Sequence, residues 1–143
     1  MRFWDSSAIV PLVVREVSSA ACRHEQRVQP VFVVSRLAGA EIWHALTRKR
    51  REGTLSAGDL RVSDRALVPL ASRRHVVECT EDVENEVFAV LERHPLRAAD
   101  AWQLASARVF VDGMTRGRFF VTRDELLATA ARADGFTVIV PRA

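Results

Sequence analysis

The sequence predicts an α/β fold in which helices cover both faces of a mostly parallel sheet. Short runs of β-branched and aromatic residues alternate with longer helical patterns along the whole chain. No linker, low-complexity tract or solenoid-type repeat interrupts this alternation. The length of 143 residues suits one compact domain, so we expect a single domain over residues 1–143.

The first quarter of the chain predicts two strands and two short helices. Residues 2–5 form the first strand, and residues 7–14 and 18–27 form the helices. A β-branched run at residues 31–34 follows Pro30 and has the length of a strand. Asp5 therefore stands at the tip of the first strand, where a carboxylate most often caps the next helix.

The middle of the chain predicts two long helices and a weak strand. Ser35 is in an N-cap position for a helix that reaches about Glu52 and ends at Gly53. A second helix starts from the Ser56 cap and covers residues 56–74, and residues 76–79 form the weak strand.

The last third predicts three helices and two strands. Thr80 begins a helix over residues 80–93 with acids in its first turn, and Pro95 separates this helix from one at residues 97–112. Three shorter elements complete the chain: a strand at 118–121, a helix at 124–133 that Gly135 caps, and a strand at 137–140.

The composition is that of an ordinary soluble protein with a mild basic excess. Charged residues make up 27% of the chain and the net charge is +3. The sequence has no signal peptide and no uncharged stretch long enough to span a bilayer. Cys22 and Cys79 lie in no metal or redox spacing, so we expect reduced thiols and a cytoplasmic location. Arginine-rich runs are a weak indication of nucleic-acid binding when taken alone.

Four acids follow strands or begin helices, in positions otherwise occupied by small or apolar residues: Asp5, Glu41, Asp100 and Asp124. In a parallel sheet the carboxyl ends of the strands share one edge, where ligands bind. Each acid alone is most simply explained as a hydrogen-bonded, partly buried group. Together they would repel one another unless a cation joined them, and their hard oxygen ligands suit Mg²⁺ or Mn²⁺. The four histidines are scattered and offer no zinc spacing.

Four blocks carry a family resemblance: FWDSSAIVPLVVRE, SRLAGAEIWHALTRK, LRAADAWQLASA and FFVTRDELLATAARADGFTVIV. In order and spacing they resemble the conserved blocks of PIN-domain nucleases, and most of all the VapC toxins of bacterial toxin–antitoxin pairs. The resemblance runs from about residue 2 to residue 140. It implies a PIN-like three-layer α/β/α sandwich with a short central sheet, and a Mg²⁺-dependent endoribonuclease. It also implies an RNA substrate, a cognate antitoxin and a homodimer.

The resemblance assigns a role to each acid. Asp5, Glu41, Asp100 and Asp124 match the family's four acids in order, and Ser7 and Thr122 match the polar positions that support them. Glu125 follows Asp124 directly and Asp134 lies further on, so the choice of the fourth acid stays open among these three residues. Whether Asp124 ligates the metal directly also stays open.

A hydrolytic mechanism follows from these roles. One or two metal ions at Asp5, Asp100 and Asp124 would activate a water, and Glu41 would hold the metal through water or orient the attacking water. Without the four acids the rest of the chain carries a charge of +7, which favours an RNA backbone. Arg97 and Arg123 are candidate phosphate contacts.

Three alternative functions remain to be weighed. A PIN-like module that binds RNA or protein without cleavage would usually lack one or more acids. A non-toxin nuclease of the same fold, such as an RNA-processing enzyme, would usually carry further domains. A dinucleotide-binding domain would need a glycine-rich turn after the first strand, where this chain has DSSAIV.

An antitoxin would need an apolar groove that accepts a helix. We expect four residues to contribute to such a groove: Ile9, Leu12, Val13 and Trp43.

Overall fold

The computed structural model describes residues 1–143, which form five strands and seven helices. The strands are β1 (Arg2–Trp4), β2 (Phe32–Ser35), β3 (Arg74–Val77), β4 (Phe119–Val121) and β5 (Thr137–Ile139). The helices are α1 (Ser6–Val13), α2 (Ser19–Val28), α3 (Ala38–Arg51), α4 (Ala57–Ala71), α5 (Glu81–Arg93), α6 (Ala98–Phe110) and α7 (Glu125–Ala133).

The five strands form one sheet in the order β3-β2-β1-β4-β5, and every pair is parallel. The chain leaves β1 in one direction to reach β2 and β3, and returns to the other side of β1 to form β4 and β5. This reversal opens a crevice at the carboxyl ends of β1 and β4, where doubly wound folds bind their ligands.

Side chains that alternate along each strand divide the core into two layers. Phe3, Val33 and Phe120 face the layer formed by α5, α6 and α7, and Trp4 and Val121 face the layer formed by α1, α3 and α4. The period of two in a β-strand accounts for this division. The predicted three-layer α/β/α sandwich with a short parallel sheet is confirmed.

Several predicted boundaries are wrong, among them the end of the helix predicted over 56–74, which lies at Ala71. Strand pairing explains two of the others. Ser35 does not cap α3, because it is the last residue of β2 and pairs in register with Val77. Leu37 occupies the cap position instead, and Ser35 Oγ accepts a hydrogen bond from Leu37 N at 3.3 Å. The third strand lies at Arg74–Val77, two residues earlier than predicted, because β2 aligns Phe32 with Arg74.

None of the seven helices combines the length and the apolar character needed to cross a bilayer. Cys22 is buried and Cys79 is exposed, and both are free thiols.

Candidate active site

Asp5 lies immediately after β1 and caps α1, and it is almost fully buried, with 3% of its surface exposed. Its Oδ2 accepts hydrogen bonds from Ser7 N (3.2 Å), Ser7 Oγ and Thr122 Oγ1 (2.9 Å). Ser6 Oγ donates to the other oxygen, Oδ1, at 3.3 Å. The carboxylate is therefore both a helix cap and a rigidly held acid at the carboxyl end of the central strand.

The environment of Asp5 works against its negative charge. Burial raises the pKa of Asp5 above its usual value, and the nearby Asp100 charge raises it further. The hydrogen bonds from Ser7 and Thr122 oppose this shift because they favour the charged form. Thr122, at the end of β4, and Ser7, in α1, thus hold Asp5 from two sides.

Glu41 lies in the first turn of α3 and meets α6 across the site. Its Oε2 accepts a hydrogen bond from Gln103 Nε2. Burial, followed by repulsion from Asp5, raises the pKa of Glu41 to about 7, and hydrogen bonds from Gln103 and Ser6 oppose the shift. A carboxyl group with this pKa exchanges its proton near neutral pH, which is a property of general acid–base catalysts.

Asp100 and Asp124 complete the acidic set from two further helices. Asp100 is in the first turn of α6, and Arg97 Nε donates to its Oδ2 at 3.2 Å. Asp124 caps α7, and its Oδ1 accepts a hydrogen bond from Leu127 N at 2.8 Å. Thr122 Oγ1 in turn accepts a hydrogen bond from Asp124 N at 3.0 Å.

Glu125 and Asp134, the two other acids considered for the fourth role, do not line the cleft. Glu125 forms an exposed ion pair with Arg142 at 2.7 Å. Asp134 contacts His94 at 2.8 Å and Arg93 at 3.3 Å in a separate cluster between α5 and α7. Asp124 is therefore the member of this segment that faces the other three acids.

All four acids line one open cleft of about 660 Å³ at the carboxyl ends of the strands. Cationic and imidazole side chains lie on the same walls: His44, Arg48, Lys49, Arg97 and Arg123. An acidic centre inside a basic rim can hold a cation in its middle and polyanionic phosphates around it.

One wall of the cleft is held together by Glu16, which bridges two of these cations. Glu16 contacts Lys49 Nζ at 2.7 Å and Arg123 Nη1 at 2.9 Å. Arg123 is also fixed through its backbone, whose N–H donates to Ser7 Oγ at 2.9 Å. Arg97, by contrast, has a side chain that is 83% exposed, and Asp100 is its ion-pair partner.

The donor set fits a hard divalent cation. The four carboxylates supply oxygen ligands of the kind that Mg²⁺ and Mn²⁺ prefer. Repulsion between the acids adds to the burial that raises the pKa of Asp5 and of Glu41, and a cation would neutralise that repulsion. As the side chains stand, no three acids, histidines or cysteines come close enough together to form a ready-made coordination shell.

Sequence reasoning missed two residues of this site. Gln103 is fully buried and contacts Glu41, and Glu16 organises the basic wall. A signal for Gln103 was available, because it follows Asp100 by one helical turn and shares its side of the helix. Glu16 gave only a weak signal, since its partners lie 33 and 107 residues away in the sequence.

Of the four residues expected to contribute to an apolar groove, one is buried and the other three are partly or well exposed. Ile9 is part of the core, with 3% of its surface exposed, and Leu12 and Val13 pack against that core. Trp43 is 45% exposed on α3.

Comparisons with known proteins identify relatives along nearly the whole chain. A family model described as PIN domain matches residues 2–133. Ribonuclease VapC46 from Mycobacterium tuberculosis is 34% identical over 145 aligned positions, which cover 97% of this chain and 96% of the relative.

Two solved structures share the fold at low sequence identity. Mycobacterium tuberculosis VapC20, described as a sarcin–ricin loop cleaving toxin, superposes with a TM-score of 0.68 at 21% identity, covering 96% of this chain and 97% of that one. A toxin–antitoxin complex from Klebsiella pneumoniae superposes with a TM-score of 0.67 at 14% identity, covering 99% and 98%.

Proposed function

Because the chain belongs to the PIN-domain family, in its VapC branch, we propose that it is a divalent-metal-dependent endoribonuclease and the toxin of a toxin–antitoxin pair. The observation that carries the proposal is the set of four carboxylates from β1, α3, α6 and α7 that line one cleft with a basic rim. RNA is the substrate class that this rim and the VapC ribonuclease relatives favour. We expect the protein to act in the cytoplasm, where RNA is available.

Asp5, Asp100 and Asp124 would hold the metal directly and Glu41 would hold it through water, and Mg²⁺ is the first choice with Mn²⁺ as a substitute. When bound, such an ion lowers the pKa of water and stabilises the charge that develops on a phosphate during in-line displacement. Asp5 would be the most rigidly held ligand, because the hydroxyl groups of Ser7 and Thr122 donate hydrogen bonds to its Oδ2. Asp124 leaves Oδ2 without a hydrogen bond in the fold, since the cap of α7 uses Oδ1.

Glu41 would take the proton of the attacking water. The pKa of about 7 means that a large fraction of Glu41 is ionised at neutral pH and still basic enough to accept a proton. Gln103 holds Oε2, so Oε1 is the atom that we assign to proton transfer. No covalent nucleophile is needed, and Ser6 and Ser7 serve as hydrogen-bond donors to Asp5.

The basic rim would bind the phosphates that flank the cut. Arg123 is held in place by Glu16 and by its own backbone, so it can bind a phosphate with little loss of side-chain freedom. The Arg97 side chain is largely exposed, and its pairing with Asp100 would compete with a metal ion.

The decisive experiment compares two Asp→Asn variants on the same helix region. We expect Asp100→Asn to lower the rate of RNA cleavage in Mg²⁺ by roughly 100-fold or more, equivalent to about 2.7 kcal/mol of transition-state stabilisation. Asp112→Asn is the matched control, because Asp112 is exposed at the other end of α6 and does not line the cleft. Equal rates for Asp100→Asn and the wild type would contradict the site assignment.

The toxin role has a separate test in cells. We expect the gene next to this one to encode a small protein that binds the chain and blocks cleavage. Expression of the wild type alone should slow growth, expression of Asp100→Asn should not, and co-expression of the neighbour should restore growth. Normal growth with abundant, folded and active nuclease would leave an RNA-processing enzyme as the better assignment.

The oligomeric state is part of the same proposal. We expect a homodimer, and light scattering at several protein concentrations would measure its mass.

A further inference from the structure

Gln103 is a buried amide that lies behind the wall of the acidic cleft and contacts Glu41. It lies in α6 one turn after Asp100 and has no exposed surface. Its Nε2 donates a hydrogen bond to Oε2 of Glu41, which belongs to α3. The residue therefore joins the two helices that carry the second and third acids of the site.

The other end of the same amide has no partner. Gln103 Oε1 is buried and accepts no hydrogen bond. A buried carbonyl without a partner destabilises a folded protein, and an apolar side chain of the same length would fill this space without that penalty. The presence of an amide here is therefore not explained by packing.

The orientation of the amide follows from its hydrogen bond to Glu41. The NH₂ group of Gln103 donates to Oε2 of Glu41 and therefore faces the carboxyl group. The carbonyl oxygen Oε1 is then left without a donor. The unpartnered Oε1 therefore accompanies the contact that Gln103 makes with Glu41.

We propose that Gln103 is a positioning residue that holds the Glu41 carboxyl group in the cleft and thereby supports divalent-cation binding and RNA cleavage. This inference rests on the proposed function. Gln103 itself does not line the cleft and touches no reacting group, so it acts only through Glu41. Its hydrogen bond fixes Oε2 of Glu41 and leaves the second oxygen, Oε1, free of Gln103.

The test uses Gln103→Met, which has a similar length and volume but no hydrogen-bonding group. We expect kcat for RNA cleavage to fall by about 10- to 100-fold, the range seen when outer-shell partners of metal sites are removed. KM for RNA should change by less than about 2-fold, because the basic rim is untouched. The dissociation constant for Mn²⁺ alone, measured by calorimetry, should rise by about 10-fold.

A thermal melt separates this role from a purely structural one. In EDTA, Gln103→Met should melt close to the wild-type temperature, because the loss of the hydrogen bond to Glu41 and the removal of the unpartnered carbonyl act in opposite directions. Ser106→Ala is the matched control, since Ser106 is a buried polar residue of the same helix that contacts Ser35 and not the acids. It should leave kcat and the Mn²⁺ dissociation constant unchanged.

A double-mutant cycle with Glu41→Gln tests the route of the effect. In the Glu41→Gln background, Gln103→Met should cause no further loss of kcat or Mn²⁺ affinity. An equal further loss would overturn the inference, and so would a folded Gln103→Met protein with wild-type kcat and Mn²⁺ affinity. If Gln103→Met does not fold, Gln103→Asn, which keeps the amide but falls one methylene short of Glu41, takes its place with the same expected losses.

Asp5→Asn, measured on the same RNA, keeps this test distinct from the test of the proposed function. If Asp5→Asn cleaves as fast as the wild type, the proposed site is wrong whatever Gln103→Met does. If Asp5→Asn is inactive and Gln103→Met is fully active with unchanged Mn²⁺ affinity, only the inference about Gln103 fails.

Discussion

Glu41 connects the chemistry of the site to the stability of the fold. A folded-state pKa of about 7, against an ordinary value of 4.5, means that the folded protein holds this proton more tightly than the unfolded chain does. Between pH 4.5 and pH 7 unfolding therefore releases a proton, and the free energy of unfolding falls as pH rises through this window. The stabilising contribution is fully present below the unfolded pKa and is lost above the folded pKa.

We expect the metal-free protein to be more stable at pH 5.5 than at pH 8. Glu41 is partly exposed, so solvent screening reduces the full linkage value, and we expect a contribution of about 1 kcal/mol. Urea unfolding in EDTA at a series of pH values would measure it. In Glu41→Gln this part of the pH dependence should be absent, and a variant whose profile matches the wild type would show that Glu41 titrates normally in the folded state.

At the level of elements, Asp124 combines two roles that substitutions can separate. As the N-cap of α7 it accepts from Leu127 N, and as an acid it lines the cleft. Asparagine caps helices about as well as aspartate, so we expect Asp124→Asn to change the free energy of unfolding by less than about 1 kcal/mol. Asp124→Ala, which removes the cap, should cost about 1 kcal/mol.

Both Asp124 variants should lose Mg²⁺-dependent cleavage, and only the alanine variant should also lose stability. Thr80→Ala is the matched control, because Thr80 caps α5 through Val83 N and lies outside the cleft. It should lose a similar amount of stability, about 1 kcal/mol, and keep its activity. Full activity in Asp124→Asn would show that Asp124 serves only as a cap.

The same elements show what sequence alone can predict. The caps at Asp5, Ser56 and Thr80 were visible because a side chain and the backbone within three residues of it decide them. Ser35 looked like a cap but lies in β2, because its pairing with β3 depends on residues some 40 positions away. Local signals therefore placed the elements, and tertiary pairing moved their ends.

The residues of the candidate site also fall into two groups, those that the sequence alone reveals and those that only the fold reveals. An acid among small apolar residues, as at Asp5 or Asp100, is costly unless it has a purpose, so the sequence itself draws attention to it. The sequence gives no comparable signal for Gln103 and Glu16, because a glutamine in a helix and a glutamate in a loop are both common. Their roles become visible only when their partners are known. Their partners, Glu41, Lys49 and Arg123, become neighbours only in the folded chain.

For the whole molecule, the crowding of acids in the cleft lowers stability in the absence of metal. Repulsion from Asp100 adds to the burial that raises the pKa of Asp5, and repulsion from Asp5 and Asp100 adds to the burial that raises the pKa of Glu41. The rest of the surface carries the balancing positive charge. A cation that binds only the folded state would remove this repulsion and stabilise the entire domain.

We therefore expect Mg²⁺ or Mn²⁺ to raise the melting temperature and EDTA to reverse the rise. At tenfold excess over the dissociation constant, binding contributes roughly 1.4 kcal/mol, which for a domain of this size corresponds to about 2–6 °C.

Asp100→Asn removes one repelling charge and one metal ligand together. In EDTA it should melt at or above the wild type, and added Mn²⁺ should raise its melting temperature less. Asp112→Asn, which lies outside the cleft, should respond to Mn²⁺ as the wild type does. If Asp100→Asn instead melts well below the wild type in EDTA and neither protein responds to metal, Asp100 is a structural acid held by its hydrogen bond to Arg97, and the metal site is wrong.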